Sequence, residues 1–176
     1  MLSVQEARKR ILAHFRPVET LSTPLGEASG RVLAQDVNAG IDLPPFDNSS
    51  VDGFAVHSAD VQGADPGSPR TLKVVADIPA GSNPTISLHA GQAARIMTGA
   101  PLPSGADAVV MVEDTDFKSR DAGSATPSQV AIFRPTPPNA WVRRRGDDLH
   151  AGETVLHAGQ LLRAQEIGLL AMLGIP

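Results

Sequence analysis

A chain of 176 residues with 41% apolar and 19% charged side chains has the make-up of a folded protein with a buried core, not of a disordered segment. Fifteen Lys and Arg against 19 Asp and Glu leave a net charge of −4, and only 3% of residues are aromatic, so both the basic face and the stacking surface of a nucleic-acid binder are lacking. The absence of cysteine excludes disulfides, thiol nucleophiles and thiolate metal sites, and no apolar run approaches the ~18 residues of a membrane span.

In chain order, the N-terminus puts acid and base ahead of any apolar run, unlike a signal peptide, and cytoplasmic location is the expectation. Ser3 and Glu6 form a capping box. Val4, Ala7, Ile11, Leu12 and Phe15 follow at helical spacing up to Pro17, predicting an amphipathic helix with Arg8, Lys9 and Arg10 mostly on its solvated face. Pro24 to Gly30 reads as a turn and Arg31–Val37 as a strand. Pro44-Pro45 then leads into a polar loop from Phe46 to Gly53.

From there the chain is punctuated by turns. Gly and Pro together make 31 of 176 residues, about 18% against a background near ~12%. Strands are predicted at Phe54–Val56, Leu72–Ile78, Ala94–Met97, Ala108–Val112 and Val130–Phe133, and a mobile loop from Asp116 to Ser128. Further strands are expected at Trp141–Arg145 and Thr154–Leu156, then a helix over Gln165–Leu173 with Gly174 as its C-cap. Leu-His-Ala-Gly occurs three times, from Leu88, Leu149 and Leu156. No carboxylate or second His recurs at metal-ligand spacing, so each copy reads as a turn. The fold class is α+β, β-rich, in two lobes. Residues 1–50 and 139–176 form a discontinuous α/β lobe, and 51–138 an inserted small β-barrel or sandwich.

Three polar constellations stand out. Phe46-Asp-Asn-Ser-Ser-Val-Asp-Gly-Phe-Ala55 gathers two carboxylates, an amide and two hydroxyls. These either cap the loop's own backbone or offer hard oxygen to a cation through Asp47 or Asp52. In Arg95-Ile-Met-Thr-Gly-Ala-Pro-Leu-Pro103 a strand runs into a stiffened turn, where Thr98 either shapes the turn or presents hydroxyl and amides to an anion. Trp141-Val-Arg-Arg-Arg-Gly-Asp-Asp148 is either an ion-pair cluster or a site where Arg forks onto phosphate and the Asp pair holds a divalent ion. Walker and dinucleotide loops, G-x-S-x-G and H-E-x-x-H are absent.

In this order and spacing, Pro45-Phe-Asp-Asn-Ser-Ser-Val-Asp-Gly-Phe-Ala55, Met97-Thr-Gly-Ala-Pro-Leu-Pro-Ser-Gly-Ala-Asp-Ala-Val-Val110 and Arg143-Arg-Arg-Gly-Asp-Asp148 resemble the MoeA family, whose eukaryotic relative is the E domain of gephyrin. Ala151-Gly152, Ala158-Gly159 and Ile167-Gly-Leu-Leu-Ala171 support the resemblance, which runs over nearly the whole chain. It implies molybdenum cofactor biosynthesis. MoeA proteins take adenylylated molybdopterin and molybdate and, with Mg²⁺ or another divalent cation, release AMP and the finished cofactor. By motif match the implied catalytic residues are Asp52, Thr98 and Asp148. Arg143, Thr98 and Ser49 would bind substrate anion, and Asp52 and Asp148 the metal.

Ser50, Val51 and Phe54 stand where Ala, Met and Tyr are usual in the family, and Asp147 where Glu is common; these changes are conservative. Family members continue into an α/β domain that grips the pterin phosphate and then a small β domain, and neither lies within these residues. The resemblance therefore implies one wall of a shared site, inactive alone, in a homodimer completed by a C-terminal pterin-binding domain or its partner subunit. The alternative is a non-catalytic dimerisation or scaffold module that binds a protein partner.

Overall fold

The computed structural model describes residues 2–16, 18–117 and 125–176. It divides into two compact units, one made of residues 1–38 and 154–176, the other of residues 39–153. The chain is β-rich with two helices and a curled, half-barrel sheet, as its composition and turn spacing predict.

The first helix, α1 (Val4–Leu12), begins where the capping box places it, with the Glu6 amide donating to the Ser3 hydroxyl at 3.2 Å. It ends at Leu12, before Phe15, and buries none of its residues. The expected strand over Arg31–Val37 is corrected. Only β1 (Val37–Asn38) is a strand there, and Val32 makes one isolated bridge to Leu161. The chain bends at Ala34–Gln35 so that Asp36 can accept from the Ala158 amide, and that bend ends the alternation.

Next come β2 (Asn48–Ser49), β3 (Gly53–Val56), β4 (Arg70–Ile78), β5 (Gln92–Ile96), β6 (Ala108–Met111), β7 (Gln129–Ile132), β8 (Val142–Arg143) and β9 (Thr154–Leu156), then α2 (Ala164–Met172). Five of them form the main sheet in the order β6-β3-β5-β4-β7, antiparallel except for the parallel β4–β5 pair. β3, between β6 and β5, is fully buried because Gly53, Phe54, Ala55 and Val56 present nothing polar to either face. Its neighbour β6 is equally apolar, β5 buries Arg95 among its apolar residues, and the sheet buries one cluster on each side. Phe54, Val56, Val110, Val130 and Ile132 lie in one, and Ala55, Ile96, Val109 and Ala100 in the other.

Residues 118–124, the heart of the loop expected to be mobile, lie outside the described residues. In the first unit β1 pairs with β9, and α2 closes a small core of Ala28, Leu156, Leu162 and Leu170. Among the described residues no helix is long and apolar enough to cross a membrane.

The three Leu-His-Ala-Gly copies are one turn built three times. In each, the His amide donates to the side chain three residues on, Gln92, Glu153 or Gln160, at 3.0–3.2 Å. The amide of that third residue returns to the His carbonyl, and the Gly adopts a positive φ of 75–89°. An Asp from elsewhere accepts from the turn's Ala or Gly amide: Asp60, Asp42 and Asp36 in turn. The turn itself is built on the histidine backbones, while the His150 and His157 rings lie 4.0 and 3.7 Å from Asp42 and Asp36.

Candidate functional site

The three polar constellations converge within the 39–153 unit, and β2 is the strip that joins them. On one side it pairs antiparallel with β8, Asn48 opposite Arg143 and Ser49 opposite Val142. On the other, the Ser49 amide donates to the Ala100 carbonyl at 3.1 Å and the Gly99 amide to the Ser49 carbonyl at 2.8 Å. A two-residue polar strand carries no periodic signal; it exists because Arg143 and Ala100, 95 and 52 positions away along the chain, close on it from both sides.

Just beyond β2, Asp52 and Thr98 meet. The Thr98 amide and hydroxyl both donate to Asp52 Oδ1, at 2.8 and 2.7 Å. Two donors on one oxygen fix the carboxylate's orientation. The motif's glycines explain the approach. A Cβ on Gly53 would lie 1.9 Å from the Val110 carbonyl oxygen, so only glycine lets β3 lie against β6 immediately after Asp52. Gly99, at φ 78°, turns the chain directly after Thr98.

Arg143 pairs with Asp148 at 2.5 Å, both side chains about half exposed. The next two arginines hold the scaffold. Arg144 pairs with Asp47 and donates to the Asn139 side-chain oxygen Oδ1, its own amide donating to Asp147. Arg145 gives its amide to Asp47 at 2.8 Å and its Nε to Asp42 at 2.5 Å. The Arg145 amide, aided by the Arg144 guanidinium, holds the Asp47 carboxyl below its ordinary value against the opposing cost of desolvation. Asp42 is lowered by the Ala151 amide and then by Arg145. Asp47, which the sequence leaves open as a cation ligand, is thus a strut between the 46–53 loop and the arginine segment.

Ser49 is fully buried, and its hydroxyl donates to the Val51 carbonyl at 2.6 Å. Asp42 and Asp47 are structural partners that no short motif could reveal, because each meets an arginine 103 or 97 residues on, whereas Asn139 lies five residues before Arg144. Trp141, part of the arginine segment in the sequence but given no role there, lies beside β8. The cavity beside Asp52, lined also by Arg95 and Phe117, measures about 10 Å³, room for roughly one water. Thr98, Arg143 and Asp148 are exposed, so the site is an open face.

For a divalent cation the donors among the described residues do not suffice. Among the described residues no three His, Asp or Glu side chains converge to hold a metal. The two expected ligands are engaged, Asp52 with Thr98 and Asp148 with Arg143. A cation here would need oxygen donors from outside these residues.

With this geometry in view, residues 2–174 match the family described as the MoeA N-terminal region, domains I and II. The chain belongs to that family. It is 44% identical over 175 residues to molybdopterin molybdenumtransferase 2 of Mycobacterium tuberculosis strain H37Rv, covering 99% of this chain and 41% of the relative. To the molybdopterin molybdenumtransferase of Nostoc sp. it is 42% identical over 153 residues, covering 87% of this chain and 33% of that one. Among solved structures, the molybdopterin biosynthesis moeA protein of Pyrococcus horikoshii OT3 superposes with a TM-score of 0.86 at 35% identity, over 97% of this chain and 43% of that one. The MoeA-family chain therefore spans about two fifths of the length of the curated relatives it matches most fully.

Proposed function

We propose that this chain supplies one wall of the site at which molybdate is inserted into adenylylated molybdopterin with release of AMP, in molybdenum cofactor biosynthesis. One observation carries the proposal. Three segments far apart in sequence bring Asp52, Thr98, Arg143 and Asp148 to the two sides of β2, with Thr98 binding Asp52 through two hydrogen bonds. The relatives' names, molybdopterin molybdenumtransferase, support the substrate class.

In this proposal Thr98 holds the Asp52 carboxylate aimed, so that Asp52 can take a proton or a cation supplied with the rest of the site. Arg143 uses Nη2 for Asp148, and its other donors suit the oxygens of a phosphate or of molybdate. Asp148 keeps that guanidinium in place until the anion arrives. Ser49, with its hydroxyl turned inward, contributes by shaping the loop. Any divalent cation, Mg²⁺ included, would polarise the transferred groups; this chain's part is to position the carboxylates. Cytoplasmic location follows from the same assignment.

A second reading has its own support. α1 leaves Val4, Ile11 and Leu12 largely exposed, Val4 at 86%, and Phe15 just beyond it is exposed too, apolar surface suited to a homodimer or a protein partner. A scaffold role predicts partner binding indifferent to Asp52→Asn and to magnesium. The deciding experiment follows AMP release from adenylylated molybdopterin with molybdate and magnesium. The chain is assayed alone and then with the remaining length of a relative supplied as a separate polypeptide. Activity only in the mixture is expected; silence in both, with folded protein, would favour the scaffold.

A further inference from the structure

Trp141 is the chain's single tryptophan, in a protein with no tyrosine. Its side chain is 47% exposed, and its backbone sits at φ 59°, in the left-handed region that bulky residues avoid. Asn139, two residues earlier at φ 66°, is a residue type at ease there; tryptophan is not. The strained residue is pinned. Its carbonyl accepts from both the Ser50 amide, at 2.9 Å, and the Ser50 hydroxyl, at 3.1 Å, which extends the β2–β8 pairing by one step. That pairing puts Trp141 opposite Ser50, two residues before Asp52 in one strand and two before Arg143 in the other.

We infer that Trp141 is a stacking platform for the planar nitrogen heterocycle of a phosphate-bearing ligand, with Arg143 as the neighbouring phosphate contact. An exposed indole in a strained conformation serves no core, and strain of this kind collects where a side chain must face a ligand. An exposed indole two residues before an exposed arginine suits a ring that carries phosphate. The inference rests on the proposed substrate, whose adenylate and pterin halves both meet this description.

The sole tryptophan is its own probe. The chain is titrated with AMP, with 6-hydroxymethylpterin and with ribose 5-phosphate, emission being read at 295 nm excitation with inner-filter correction. Saturable quenching by AMP assigns the platform to the adenylate half and by the pterin to the pterin half; either supports the inference. No saturable change with either ring, or a change equalled by ribose 5-phosphate, overturns it. So does an emission shift that follows protein concentration alone, the mark of self-association.

Equilibrium dialysis of whichever ring quenches, AMP or 6-hydroxymethylpterin, against Trp141→Asn, a residue at home in left-handed backbone, adds a test independent of fluorescence. The melting temperature should hold while binding weakens roughly 5- to 150-fold, the equivalent of about 1–3 kcal/mol of base stacking. Undiminished binding in a folded variant overturns the platform. The outcomes separate from those of the transferase proposal: ring binding through Trp141 with a silent AMP-release assay sinks only the transferase, and the reverse pattern sinks only the platform.

Discussion

Gly53 shows how a single missing methyl group permits the site. Its would-be Cβ falls 1.9 Å from a backbone oxygen of β6, and backbone cannot rotate away as a side chain can. Gly53→Ala should cost about 3 kcal/mol, measured by urea unfolding, because the buried strand β3 must move away from β6. Asp47 makes a different prediction. Its folded carboxyl titrates below the ordinary 3.8, so its stabilisation is fully present above that value and is lost as the pH falls through the folded value. Asp42 and Glu166 act in the same sense, Glu166 through its pairing with Arg163. Melting temperatures recorded between about pH 5 and 2 should fall less steeply in Asp47→Asn than in the parent, since one of the groups that must protonate has been removed. Equal slopes would mean that the arginine strut contributes nothing to acid stability.

At the scale of elements, the repeated turn separates backbone strain from collision. Gly152 has open space where a Cβ would go and a φ of 89°, so Gly152→Ala should cost only the left-handed penalty, about 1 kcal/mol. Gly105, at φ 82°, would also drive its Cβ to 2.2 Å from the Leu88 carbonyl, and Gly105→Ala should cost about 3 kcal/mol in the same denaturation experiment. α1 makes the opposite case. Ser3→Ala removes its N-cap, yet α1 buries nothing, so the variant should lose helical circular dichroism without shifting the main unfolding transition.

What could be read from the sequence follows the same physics. β3, β5 and β6 were legible to within two residues because their runs are buried on both faces and bounded by turn residues, and β7 because its buried Val130 and Ile132 alternate with more exposed neighbours. β1 was overdrawn because Val32 and Leu33 mimic a strand that Asp36 bends away. β2, two buried polar residues, could not be seen at all: only the segments on either side of it make it a strand. The candidate site divides likewise. Asp52, Thr98, Arg143 and Asp148 stood in recognisable motifs. The Asp47–Arg144 and Asp42–Arg145 partnerships, 97 and 103 residues apart, exist only in three dimensions.

Over the whole molecule, apolar burial is divided unequally between the two units. The 39–153 unit holds both clusters of the main sheet, whereas the core of the 1–38 and 154–176 unit rests on Ala28, Leu156, Leu162 and Leu170. A groove of about 930 Å³ lined by Leu25, Leu33, Leu162 and Leu170 further thins the smaller core. Amides of β3 and β5 should therefore outlast those of β1 and β9 in native-state hydrogen exchange, and uniform protection would contradict that division. The central claim is that distant motifs fold into one working unit, and a double-mutant cycle tests it most directly. AMP release by the complemented chain would be compared for the parent, Asp52→Asn, Thr98→Val and the pair. If Thr98 acts by holding Asp52, the double variant should be no slower than the slower single one. Losses that multiply would mean that the two residues act independently and that the hydrogen bonds joining them have no part in the chemistry.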